Sequence, residues 1–205
     1  MDRHIQHLLY PKHLYTASEV LCRPCPVPTS PGVYAWYFDA PVPLIDSTGC
    51  HRIDGRALLY VGISPKAPSL KGLPPSRSTL RKRILTHYRG NAEGSTLRRT
   101  LGCLLSSRIA IQLRRVGSGG RYTFTNPGEQ ALDRWMDQHA FVTWVETKEP
   151  WEIEKRLLSS DVSLPLNVHG NASQEAAAVL SAARLKARRL ADQLEIVADT
   201  LESAD

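Results

Sequence analysis

Two stretches decide the fold: Gly32-Val33-Tyr34-Ala35-Trp36-Tyr37-Phe38 and Ala57-Leu58-Leu59-Tyr60-Val61-Gly62-Ile63. Both are apolar, aromatic and β-branched, and Pro, Gly and Asp bound them, which is typical of strands. Side chains alternate along a strand, so Tyr34 shares a face with Trp36, and Tyr60 shares one with Leu58 and Gly62. Antiparallel pairing of the two strands would bring both tyrosine hydroxyls together.

The run Leu80-Arg81-Lys82-Arg83-Ile84-Leu85-Thr86-His87 predicts a helix, which Ser76 or Ser78 can cap. Arg83 and His87 are four residues apart, so their side chains occupy one helix face and converge on a common target. An anion suits that target. Two strand tyrosines followed by this pair suggest a site that cleaves phosphodiesters.

Positive charge is concentrated in one part of the 205-residue chain, whose formal net charge is +6. From Arg56 to Arg121 there are 14 Lys or Arg residues and one acidic residue, Glu93, so this stretch carries about +13 and the remainder about −7. Such concentration predicts nucleic acid as the partner, the alternative being a solvated basic face. The candidate nucleic-acid contacts are Lys66, Arg81, Lys82, Arg89, Arg98 and Arg99.

The chain divides into three parts by composition. Residues 1–30 are rich in proline and predict an irregular lead-in with at most one short helix. Residues 31–168 form the main domain. Residues 173–205 predict a long helix capped by Ser173, whose Ala and Leu residues recur at steps of three and four. That helix either packs back on the domain or forms a homodimer.

No apolar run approaches the roughly 18 residues that span a bilayer, so we expect a soluble, cytoplasmic protein without membrane contact. The four cysteines are too few and too scattered for a disulfide scaffold. Cys22 and Cys25 have the spacing of half a zinc site, which Cys50 and His51 could complete. Surface or packing cysteines are the alternative.

Six positions in order resemble the GIY-YIG nuclease superfamily. Gly32-Val33-Tyr34 resembles its first motif and Tyr60-Val61-Gly62 its second, and the resemblance continues through Arg83, His87, Glu154 and Asn167. It implies an α/β (α+β) fold in which helices flank a small central antiparallel β-sheet, with the long C-terminal helix outside the resemblance. Two additional predicted strands, near residues 109–116 and 121–125, indicate additions to the family fold.

The resemblance also implies hydrolysis of a nucleic acid, expected to be DNA, with a single Mg²⁺ or Mn²⁺ ion. Tyr34 would be the general base and Tyr60 would orient the water or phosphate. Arg83 would hold nonbridging oxygens, and His87 would donate a hydrogen bond or relay a proton. Glu154 would anchor the metal, with Glu152 as the competing carboxylate, and Asn167 would brace the site. Taken singly, each of these residues could be purely structural.

Two departures from the family pattern favour alternatives. The connection from Asp39 to Arg56 is much longer than the usual turn, and Ile63 stands where many members have lysine, leaving Lys66 or Lys82 as substitutes. A nucleic-acid-binding module without turnover is therefore the second hypothesis. The third is an interaction protein built around the terminal helix.

Overall fold

The computed structural model of the chain describes residues 2–68, 76–168 and 174–198. The elements, in chain order, are α1 (Arg3–Leu9), α2 (Ala17–Leu21), β1 (Gly32–Phe38), β2 (Arg52–Ile53), β3 (Arg56–Ser64), α3 (Leu80–Arg89), α4 (Thr96–Leu105), β4 (Arg114–Val116), β5 (Arg121–Thr123), α5 (Thr125–His139), β6 (Ala140–Glu146), α6 (Pro150–Leu158) and α7 (Gln174–Asp192). Within the described ranges, no helix is long and apolar enough to cross a membrane.

The central sheet confirms the predicted fold class. Its four strands have the order β2-β3-β1-β6 with antiparallel neighbours, and β4 and β5 form a separate two-stranded hairpin. Strand β1 lies between β3 and β6 and is buried along its whole length. A strand buried on both faces reads as a continuous apolar run, which explains the composition of residues 33–38.

Two hydrophobic layers cover the sheet. Tyr34 and Trp36 belong to the layer that includes residues of α3, α4 and α5, whereas Val33 and Ala35 belong to the layer under α1 and α6. A β-bulge interrupts the alternation in β3, because Trp36 pairs with Tyr60 but Tyr37 pairs with Leu58. Tyr60 therefore does not share a face with Leu58, and that prediction is wrong: the extra residue shifts the parity of the strand.

The lead-in is more ordered than predicted, with two short helices in place of at most one. Leu8 and Val20 are fully buried in the two layers. Tyr15 also forms an isolated antiparallel bridge with Val142, exchanging backbone hydrogen bonds of 2.9 Å in both directions. Residues of the lead-in thus complete the core and flank the outer side of β6.

The long connection after β1 returns to the sheet as a hairpin. Its last part forms β2, which pairs with β3 around a turn at Asp54 and Gly55. Both turn residues have positive φ angles, 48° and 80°, the conformation that two-residue hairpin turns require. The insertion therefore extends the edge of the central sheet.

The C-terminal helix α7 packs on its own domain, against α4 and β4. It ends at Asp192, and Val197 instead bonds through its backbone to Arg115 and Gly117 beside β4. The prediction of a helix through residues 193–198 is therefore wrong, because pairing with β4 replaces the helical bonds there. The predicted cap Ser173 and residues 199–205 lie outside the described residues, and self-association stays a prediction.

Substitution of Gly32 by alanine should destabilise the protein. A Cβ at this position would lie 2.2 Å from the carbonyl oxygen of Val145 and 2.6 Å from Leu80 Cδ1, so β1 and β6 would have to separate. Because the nearest atom is backbone, we expect a loss of about 3 kcal/mol, the upper part of the usual range for overpacking. Chemical denaturation measures it, with Gly49→Ala, which meets no atom within 4 Å, as the control. Equal stability of the two variants would contradict this packing.

Candidate active site

A cavity of about 510 Å³ at one end of the sheet is lined by five of the six predicted motif residues. Its lining comes from β1, β3, residues 65–67, 76 and 78, α3, α4, α6, the loop after α6, and α7. The polar lining residues that concern the site are Tyr34, Tyr60, Lys66, Arg83, Thr96, Thr100, Glu154, Asn167 and Arg184. A cavity of similar size between α1 and β6 contains none of the motif residues.

The two motif tyrosines meet as predicted, and the glycine of the second motif makes this possible. Tyr34 lies directly opposite Gly62 in the β1–β3 pairing. A Cβ at Gly62 would lie 2.5 Å from the Tyr34 hydroxyl, so only glycine leaves room for this ring. The rings of Tyr34 and Tyr60 have centroids 6.5 Å apart. Both phenols can therefore face the same bound group.

His87 lies behind Tyr34, fully buried, instead of lining the cavity itself. Its Nε2 is 2.8 Å from the Tyr34 hydroxyl and its Nδ1 is 2.7 Å from Ser95 Oγ. Ser95 is also fully buried, and it caps α4 by accepting a hydrogen bond from the Arg98 backbone N–H. Ser95, His87 and Tyr34 therefore form a chain of hydrogen bonds that ends at the cavity.

Either ring nitrogen of His87 can carry the proton, and hydrogen-bond satisfaction at Ser95 favours one of the two arrangements. The Ser95 hydroxyl already accepts from the Arg98 N–H, and among the described residues its remaining acceptor for its own proton is His87 Nδ1. Buried hydroxyl donors are seldom left without an acceptor. His87 then carries its proton on Nε2 and donates to the Tyr34 oxygen. In this arrangement the imidazole stabilises a phenolate and does not accept the phenol proton.

The electrostatic surroundings keep these groups neutral at rest. Burial lowers the pKa of His87 well below its usual value, and the charges of Arg83 and Arg98 lower it further. Burial likewise raises the pKa of Tyr34 well above its usual value, with Tyr60 and Glu154 adding to the rise and Arg83 opposing it. The Tyr34 phenol therefore depends on nearby donors and cations to act as a base.

Glu154, on α6, places a carboxylate in the cavity, whereas Glu152 is exposed and does not line it. Burial raises the pKa of Glu154 to about 7. Within the described residues it forms no ion pair, and no group of three or more His, Cys, Asp or Glu side chains could hold a metal ion. A desolvated carboxylate without a cation partner fits a single hard cation that keeps several waters.

Asn167 makes a two-way contact with the strand of the second motif. Its side-chain oxygen accepts from the Val61 N–H at 2.9 Å, and its side-chain nitrogen donates to the Val61 carbonyl at 2.8 Å. The carboxamide thus takes the place of a neighbouring strand. It attaches the loop after α6 to β3 within the cavity wall, in keeping with a bracing role.

Arg98 cannot contact a nucleic acid, so this prediction is wrong. The side chain is fully buried and pairs with Glu129 at 2.7 Å and Asp133 at 2.6 Å. It also donates to the backbone carbonyls of His87 and Tyr88. Arg98 therefore joins α3, α4 and α5. A buried guanidinium needs carboxylate partners such as these to offset the loss of its hydration.

The other predicted nucleic-acid contacts differ in their surroundings. Lys66 lines the cavity and Lys82 is exposed on α3. Arg89 pairs with Asp137 at 2.8 Å and Arg99 with Glu93 at 2.9 Å, both at partly exposed positions. Arg81 is half-buried and donates to the Val27 carbonyl at 2.6 Å, which anchors α3 to the lead-in, and its contact with a phosphate stays a prediction.

The predicted zinc alternative is not formed among the described residues. Cys22 is exposed, whereas Cys50 is buried 3.8 Å from Ser163 Oγ. His51 Nε2 is engaged with the Leu9 carbonyl at 2.6 Å. These residues are not gathered into a metal-binding group.

Sequence reasoning did not assign several polar residues to the site, among them Ser95 and Arg184. Ser95 was identifiable from the sequence only as a helix cap, since its contact with His87 comes from the packing of α3 against α4. Arg184 lies on α7, outside the motifs of the family resemblance. Its side chain is half-buried and lines the cavity.

A family model described as the GIY-YIG catalytic domain matches residues 32–188, about three quarters of the chain. The matched range includes every motif residue of the cavity and most of α7. Searches of curated proteins and of solved structures gave no significant match.

Removal of the Ser95 hydroxyl should allow the imidazole proton of His87 to occupy either ring nitrogen. Glycine is nearly as good a helix cap as serine, so Ser95→Gly removes the bond to Nδ1 at little cost in capping. Nitrogen NMR of His87 should show the Nε2–H tautomer in the unmodified protein and a mixture in Ser95→Gly. Thr79→Gly, which changes the cap of α3, is the matched control and should keep one tautomer. Protonation of Nδ1 in the unmodified protein would contradict the assignment.

Proposed function

The chain belongs to the GIY-YIG catalytic-domain family, and on that premise we propose that it is a divalent-metal-dependent endonuclease that hydrolyses phosphodiester bonds of DNA. The family supports a nuclease that acts on nucleic acid. The observation that carries the proposal is the single cavity in which two phenols, the Arg83 guanidinium and the Glu154 carboxylate converge, with His87 directly behind Tyr34.

Tyr34 is the proposed general base. Phosphodiester hydrolysis requires a water to lose a proton as it attacks the phosphorus, and the Tyr34 oxygen lies at the cavity wall. Burial opposes ionisation of this phenol, but the positive charge of Arg83 and the Nε2–H of His87 favour the phenolate. The three residues act as a unit, since the base is weak without its neighbours.

Arg83 and Tyr60 are the proposed contacts of the scissile phosphate. Arg83 donates to the Gly94 carbonyl through one nitrogen, which holds the guanidinium at the cavity while other N–H groups stay available. A fixed guanidinium is suited to nonbridging phosphate oxygens because its donors match their geometry. Tyr60 orients the water or the phosphate from the adjacent strand.

Glu154 is the proposed anchor of a Mg²⁺ or Mn²⁺ ion, with waters and substrate oxygens as the remaining ligands. Such an ion, when bound, supplies charge that stabilises the phosphate oxygens and offsets the effect of the Glu154 carboxylate on the two phenols. Asn167 contributes by holding the loop that follows α6 against β3.

The alternative function is a nucleic-acid-binding module that does not cut. Ile63, at the position where many family members have lysine, lines the cavity and favours this alternative, whereas Lys66 in the same cavity offers a substitute cation. Plasmid DNA, branched DNA and structured RNA, each with Mg²⁺ or Mn²⁺, separate the two functions: binding of all three without cutting would favour the module.

Substitution of Glu154 by glutamine should abolish cleavage while binding is retained. Glutamine keeps the shape of the side chain and removes the charge that holds the ion, so we expect a loss of at least about 100-fold in rate, comparable to loss of one electrostatic catalytic group. Glu152→Gln on the same helix removes an exposed carboxylate outside the cavity and is the matched control. Full activity of Glu154→Gln, or equal loss in both variants, would overturn the assignment.

The pH dependence of cleavage should report the competition between protons and the metal at Glu154. The pKa of Glu154 is about 7, so the carboxyl is neutral below that pH and cannot hold the ion until it loses its proton. At subsaturating Mg²⁺ we expect the rate to fall about tenfold per pH unit below about 7. Raising the Mg²⁺ concentration should move this limb to lower pH. If the pH of this limb does not change with the Mg²⁺ concentration, the limb reports the ionisation of another group.

A further inference from the structure

Helix α7 contributes a charged residue to the catalytic cavity. Arg184 lies on the side of α7 that packs against the domain, next to Ala183 and near Ala187, two half-buried positions of the predicted seam. The small alanine side chains let α7 approach α4 closely, and Arg184 lines the cavity with Thr96 and Thr100 of α4. An arginine therefore lies beside the apolar seam of this helix, on the side that faces the cavity.

The surroundings of Arg184 contain cations but no paired anion. Within residues 2–68, 76–168 and 174–198, no hydrogen bond or ion pair engages its guanidinium. Arg89, Arg98 and Arg99, by contrast, all pair with carboxylates. Burial and the nearby charge of Arg99 lower the pKa of Arg184. A half-buried guanidinium beside a second one is unfavourable unless an anion joins them.

Arg184 is also shared by a second, smaller cavity. This cavity, about 210 Å³, is lined by Arg99, Leu113, Tyr122, Arg184, Leu185 and Arg188. The Arg188 guanidinium lies over the Tyr122 ring, 4.6 Å from its centroid. Arginine side chains thus continue from the catalytic cavity across Arg184 to the surface between α4, β5 and α7. The phosphates of a nucleic-acid strand carry repeated negative charges that could pair with these arginines.

We propose that Arg184 binds the phosphate adjacent to the scissile one, so that the substrate strand leaves the catalytic cavity over helix α7. This inference rests on the proposed nuclease function. Arg83 and Glu154 then act at the scissile phosphate, and Arg184 fixes the position of the strand beside it. Arg184 is a positioning residue whose contact is ionic and does not depend on the base.

The test measures binding of a labelled DNA duplex in EDTA over a series of salt concentrations. Each phosphate contact on duplex DNA contributes about 0.9 to the slope of log affinity against log salt, so Arg184→Gln should lower the slope by about that amount. Arg189→Gln removes the same charge from an exposed position on α7 outside both cavities and should leave the slope unchanged. Because no anion partner is lost, Arg184→Gln should melt at or above the temperature of the unmodified protein, and Arg184→Met repeats the test with an apolar side chain.

The outcomes separate the two hypotheses. Equal slopes for Arg184→Gln and Arg189→Gln would overturn the role of Arg184 while leaving the nuclease function intact. Binding without cleavage by the unmodified protein would overturn hydrolysis, whereas the difference in slopes would still support the phosphate contact. A protein that binds no nucleic acid at all would overturn both.

Discussion

The close approach of the Tyr34 ring to Gly62 is the constraint on which the site depends. Tyr34 reaches the cavity because β1 pairs in register with β3 and the residue opposite has no side chain. Gly32 satisfies a similar need on the other side of β1, where β6 and α3 come too near for a Cβ. The two glycines of the motifs are thus explained by steric contact, and both positions set where the phenols lie.

Charge is divided between the interior and the cavity. Arg98 is neutralised inside the domain by Glu129 and Asp133, and it supports the helices that hold His87 and Ser95. Arg83 and Arg184 instead face a cavity in which Glu154 is the one carboxylate among the described lining residues. The buried ion pairs of Arg98 contribute to the arrangement of the helices, whereas the cations that line the cavity are suited to an anionic ligand. Arginine therefore has two roles in this protein. Arg98 stabilises the packing of the helices, whereas Arg83 and Arg184 line the cavity.

The site was predictable where local pattern determines position. Strand composition identified β1 and β3, helical spacing placed Arg83 and His87 on one face, and the residue spacing of the family pattern favoured Glu154 over Glu152. Glu154 lines the cavity and Glu152 does not. Other features depend on contacts between distant segments. The bulge at Leu59, the burial of Arg98, the bond from Ser95 to His87 and the end of α7 at Asp192 all follow from packing that no local periodicity encodes.

Both edges of the central sheet are engaged by other parts of the same chain. Tyr15 bonds to Val142 on β6, while β2, the Leu166 N–H and the Asn167 carboxamide bond to successive positions of β3. Unpaired strand edges are templates for intermolecular β-pairing and hence for aggregation. The lead-in and the loop after α6 therefore protect the domain from edge-to-edge polymerisation at these positions.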